Sequence, residues 1–193
     1  MNRQLLAAFT ALSLLSSGAI AQTAAPQGQV EIGRGENREA ELASHVTDAE
    51  QFIGIAGVGN LFEIQSSQTA LEKAQSADIK AFAQMMITDH TQANEQLAAV
   101  IQQADISVVP PNGIDAASAE KMEDIQTVTT DQFDRKYLRW QIQTHQASVA
   151  LFTSYAQGGD NEQLKQFAAE MLPKLQAHLT RAVELNATFG PGE

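Results

Sequence analysis

The stretch Ile79-Lys80-Ala81-Phe82-Ala83-Gln84-Met85-Met86-Ile87-Thr88-Asp89-His90 decides the fold. Ile79, Phe82, Ala83, Met86 and His90 recur at helical spacing, and Ala93, Leu97 and Ile101 continue the stripe. The spacing predicts a helix from about Asp78 to Ala104. Its opening returns as Leu164-Lys165-Gln166-Phe167-Ala168-Ala169-Glu170-Met171, at an offset of 85 residues from Ile79 to Leu164. Each copy opens the second helix of a helical hairpin. Two hairpins joined by a long connection predict an all-α, ferritin-like four-helix bundle with one crossover.

The remaining helices follow from caps and breaks. Thr47 and Glu50 make a capping box ahead of a helix from about Asp48 to Ala74. Gly54, Gly57 and Gly59 weaken that helix, a loss tolerated where another helix approaches closely. Val109-Pro110-Pro111-Asn112-Gly113 ends the second helix, and a short surface helix from Asp115 to about Val128 fits within the connection. Thr129 or Thr130 caps a third long helix reaching about Gln157. Asp160, with Gln163, caps a fourth, whose inward stripe runs from Leu164 to Val183 and in which Pro173 predicts a kink.

At the N-terminus, Arg3, the apolar run Leu5–Leu15 and Ala19-Ile20-Ala21 read as a signal peptide. The predicted organisation is signal peptide 1–21, flexible leader 22–46, bundle 47–187 and frayed tail 188–193. The run is too short to span a bilayer, and no later stretch is longer, so the mature chain carries no transmembrane segment. The reading is of an exported, periplasmic protein, with outer-membrane association left open. The chain has no cysteine, hence no disulfide and no thiolate ligand. Its formal charge of −11 argues against nucleic acid and anionic membranes as partners, and no protein partner can be named.

His90 lies on a face that should be buried, and a buried imidazole needs a partner. Glu63, His145 and His178 lie on the inward stripes of the other three long helices. Counted from the hairpin turns, Glu63, His90 and His145 agree in depth to roughly 3 Å, His178 lies roughly 7 Å deeper and Asp134 roughly 9 Å beyond that. Two readings stand. The groups hold a transition metal (Fe, Zn, Mn or Cu), with Glu63, His90 and His145 as first-choice ligands and His178 next. Alternatively they form a hydrogen-bond network in a non-catalytic envelope or stress protein. Asp89 and Asp134 fit as groups that orient imidazole. Met86, one turn from His90, is a gap-filler that would bias a site toward copper if it took part.

Phe82-Ala83 with Met86 and Asp89-His90, then Phe133-Asp134 with Tyr137 and His145, then Leu172-Pro173 with His178, resemble the bacterial domain of unknown function 4142 family. The resemblance covers about Ala49 to Glu184. It implies an exported protein, often labelled a predicted outer-membrane protein, with a ferritin-like four-helix bundle and no established reaction. It directs attention to Glu63, Asp89, His90, Asp134, His145 and His178. The di-iron signature Glu-x-x-His is absent, which argues against ferroxidase or oxygenase chemistry. No phosphate-binding loop, G-x-S-x-G or H-E-x-x-H occurs, so the sequence supports no catalytic residue.

Overall fold

The apolar stripes fold as helices in the computed structural model, which describes residues 36–189. It has six helices: α1 Glu36–Ala43, α2 Ala49–Lys73, α3 Ala77–Gln103, α4 Ala116–Thr127, α5 Thr130–Gly158 and α6 Glu162–Ala187. Among the described residues there is no strand. The proposed signal peptide and residues 22–35 of the leader lie outside the described residues.

α2 packs against α3 and α5 against α6, as two hairpins. α2 also meets α5, and α3 meets α6, while α4 rides on α2 and α5. Two tethers fix the ends. The Asp160 amide donates to the Thr47 carbonyl at 3.0 Å, placing the α5–α6 turn beside the start of α2. At the other end Asp134, near the start of α5, accepts from the Gln75 and Ser76 amides of the α2–α3 turn at 3.0 and 2.9 Å. The two hairpin turns therefore lie at opposite ends, and the connection through α4 returns along the bundle.

The caps differ from the sequence reading by one residue. Asp48, not Thr47, accepts the Gln51 amide at 2.9 Å, while the Thr47 carbonyl accepts from Asp160. Asn161, not Asp160, caps α6 by accepting from Leu164, while Asp160 accepts the Tyr155 hydroxyl at 2.9 Å. Asp115 caps α4 through Ser118. α6 is continuous from Glu162 to Ala187, with Pro173 exposed within it. Val183, expected inward, is 41 % exposed, and Ala182 and Leu185 take the buried positions.

The last part of the supposed flexible leader is also corrected. α1 forms there, lies against α5, and its end buries Ala43 and Val46 in the core. The segment has no clear apolar period because only these few residues face inward. Ser154 on α5 secures it by donating to the Val46 carbonyl at 3.1 Å.

The core comes in two pieces. One gathers Phe52, Ile53 and Ala56 of α2, Ala93 to Ile101 of α3, Leu151 to Tyr155 of α5 and Leu164 to Leu175 of α6. Phe52 stacks on Tyr155 there, with ring centroids 4.1 Å apart. The other gathers Phe62, Phe82, Met86, Phe133, Tyr137, Leu138 and Ala182 with Met122 and Ile125 of α4. Each fully buried large apolar side chain stabilises the fold by about 1.5–3 kcal/mol. Between the two pieces every long helix carries buried polar groups: Asn60 and Glu63, His90, Gln141 and His145, and His178.

The glycine-rich turns of α2 do not serve helix approach, as the sequence suggested. A Cβ at Gly57 would lie 2.7 Å from Cγ and Cδ of Pro111, so it is the proline of the connection that comes close. At Gly54 and Gly59 a Cβ would meet nothing within 4 Å. Gly59→Ala is therefore expected to raise stability by up to about 1 kcal/mol through helix propensity. Gly57→Ala is expected to lower it, because the Pro111 ring must move. Urea unfolding of both variants checks this, and a Gly57→Ala variant as stable as Gly59→Ala would contradict the close contact.

Candidate metal centre

His90 on α3, His145 on α5 and His178 on α6 converge within the polar layer. Their ring centroids lie 5.4–5.6 Å apart. One ring nitrogen from each forms a group lying within 4.8 Å of one another, and all three residues are buried. Three imidazole nitrogens at about 2.0–2.1 Å from one ion would be roughly 3.3–3.6 Å apart, so small ring movements close the group.

The outward nitrogens fix the tautomers. His145 Nδ1 is 2.8 Å from the Gln141 carbonyl oxygen, which only accepts, so the proton sits on Nδ1. His178 Nε2 is 2.8 Å from Oδ2 of Asp89, so there the proton sits on Nε2. His90 Nδ1 is 2.8 Å from Oδ1 of Asn60, whose own amide nitrogen donates to Asn94 at 2.9 Å, leaving His90 to donate from Nδ1. The lone pairs of His90 Nε2, His145 Nε2 and His178 Nδ1 are left, and these atoms meet no hydrogen-bond partner among the described residues. A buried acceptor without a partner costs about 1–3 kcal/mol.

Burial above all, then the other two imidazoles and Lys174, hold the His90 imidazole well below its ordinary pKa of 6.5. For His178, burial and His145 outweigh the attraction of Asp89, and its pKa falls to about 4. Both rings are neutral at pH 7, the form that offers a lone pair to a metal. Asp89 in turn accepts from Lys174 at 3.0 Å. Burial raises the Asp89 pKa, but hydrogen bonds to Lys174 and His178 outweigh it and hold the carboxyl below the usual aspartate value.

The sequence singled out all three imidazoles but ranked His178 behind Glu63. Glu63 instead stands behind His145. Its Oε1 accepts the Thr144 hydroxyl at 2.5 Å and lies 3.6 Å from His145 Nδ1, the nitrogen that bonds the Gln141 carbonyl. Its Oε2 is buried with no partner among the described residues, as is Oε1 of Gln141. Asp89 does orient His178. Asp134 does not touch an imidazole: both its oxygens are spent on the backbone amides that start α3, whose own cap residue Ser76 makes no side-chain bond. Met86 is fully buried among Phe82, Tyr137 and their neighbours.

His178 joins the group for a geometric reason. The α5–α6 turn runs through Gly159, Asp160 and Asn161 before α6 begins at Glu162, so fewer helical residues separate His178 from the turn. Side chains tilt toward the N-terminus of their helix, which brings rings on two antiparallel helices together along the axis. Asn60, Thr144 and Lys174 were missed. The repeat held a signal for Lys174: the same 85-residue offset aligns it with Asp89, its partner on the neighbouring helix.

Residues 34–185 match the family model for the domain of unknown function DUF4142, and the chain belongs to that family. No match is found among curated proteins. Among solved structures, CopM in the Cu(II)-bound form is similar, with a TM-score of 0.63 and 18 % identity, over 74 % of this chain and 97 % of that one. At that identity the likeness shows a shared helical fold and nothing finer.

Two outcomes follow for stability. His90 and His178 have folded pKa values below the unfolded value of about 6.5. The unfolded chain therefore takes up protons first, and stability present above pH 6.5 is lost as the pH falls toward 4. For His178 alone the loss at pH 4 is about 3 kcal/mol. Denaturant unfolding of metal-free wild type and His178→Gln at pH 7 and 4.5 reads the difference, and equal pH slopes would contradict it. Asp134→Ala is expected to cost about 2 kcal/mol by stripping two backbone amides of the α2–α3 turn of their acceptor. A loss under about 0.5 kcal/mol in urea would show that water replaces it fully.

Proposed function

We propose that this DUF4142 protein is an exported, ferritin-like four-helix bundle that holds one transition-metal ion on His90 Nε2, His145 Nε2 and His178 Nδ1. Its role would be storage, sensing or stress protection, without catalysis. The observation that carries the reading is the set of three buried imidazoles that bring one ring nitrogen each within 4.8 Å of one another, each ring with one nitrogen held by Asn60, the Gln141 carbonyl or Asp89 and the other without a partner among the described residues. Metal-binding histidines are oriented by such partners. Neutral imidazoles suit copper, zinc and iron, whereas magnesium, calcium and manganese favour oxygen donors. The fold shared with a Cu(II)-bound protein makes copper the first ion to try.

Export is supported by the leader sequence with its Ala19-Ile20-Ala21 site. Among the described residues no helix is long and apolar enough to cross a membrane. The competing reading is a hydrogen-bond network that only fixes helix register. Five buried side-chain atoms without partners among the described residues count against it, because a network kept for stability would be closed.

Metal analysis of freshly purified mature protein is expected to find about one ion per chain, lost in His90→Ala/His145→Ala. Less than a tenth of an equivalent, unchanged in that variant, would overturn the proposal. Added copper at 100 times its Kd should stabilise the wild type by about 2.7 kcal/mol, and the double variant not at all.

A further inference from the structure

Glu63 is a carboxylate of the polar layer that no lysine or arginine contacts among the described residues. Asp89 is neutralised by Lys174 at 3.0 Å. Glu63 is 2 % exposed, and its ion-pair contact among the described residues is with His145 alone, at 3.6 Å. Thr144 supplies a neutral hydroxyl to Oε1, and Oε2 meets no hydrogen-bond partner among the described residues. A buried carboxylate is costly without a positive charge nearby. An ion on His145 Nε2 would supply it from the other side of the same ring.

We propose that Glu63 is the counter-charge of the ion held by the triad, a positioning residue that acts through His145 and is not itself a ligand. This rests on the reading that the triad holds a metal. Attraction between a fixed carboxylate and an ion grows in proportion to the ion's charge. The carboxylate therefore favours a divalent over a monovalent ion at the same three nitrogens. Removing the charge weakens binding of a divalent ion by the square of the factor lost for a monovalent one.

The test is chelator competition on the full mature protein, with Cu(I) under anaerobic reducing conditions and with Zn(II). Glu63→Gln, which keeps the shape of the side chain, is expected to weaken Cu(I) roughly tenfold and Zn(II) roughly a hundredfold. Glu63→Met, a second neutral side chain of similar length, should give the same pattern. Glu63→Asp should keep the wild-type ratio of the two affinities. Equal losses for both ions, or no loss, would overturn the counter-charge, since a packing role does not depend on the ion's charge. A wild type that binds neither ion would instead overturn the metal site itself.

Discussion

The structure turns on a constraint of acid–base chemistry inside a dry core. Each of three imidazoles turns one nitrogen to the Asn60 amide oxygen, the Gln141 carbonyl or the Asp89 carboxylate. The other nitrogen of each is buried and meets no hydrogen-bond partner among the described residues. Three such nitrogens gathered in a buried layer are unfavourable without a partner. Burial also keeps His90 and His178 from taking up a second proton near neutral pH. This is the layer that, on the function proposed above, takes up a cation.

The two apolar clusters make that layer possible. They flank it along the bundle and supply the burial that offsets its cost. The ends are tied separately, by Asp134 on the α2–α3 turn and by the Asp160–Thr47 bond at the α5–α6 turn. His90, His145 and His178 all sit in mid-course of α3, α5 and α6. Mid-helix positions are held more firmly than loops, and rigid support is what a binding constellation needs.

Much of this was legible in the sequence. The 3.6-residue period located the four long helices, and the stripe through His90 placed an imidazole in the core. Depth was less legible. Counting from the turns took the hairpins as sharing one end, so it misplaced Asp134, which lies at the α2–α3 turn. It also overcounted the path to His178 by including turn residues. Periodicity put Glu63 on the inward face but did not say which side of the His145 ring that face meets. Asn60 and Thr144 carry no pattern of their own, since a single amide or hydroxyl on a helix is uninformative until its partner is known. The burial of α1 rests on Ala43 and Val46, too few residues to make a period.

X-ray absorption at the copper edge, on copper-loaded mature protein, tests the central claim most directly. The account predicts three imidazole nitrogens at about 2.0 Å, with the imidazole signal reduced in His178→Ala. A thioether sulfur at about 2.3 Å, or a first shell of oxygens with no more than one imidazole, would place the ion elsewhere and contradict it.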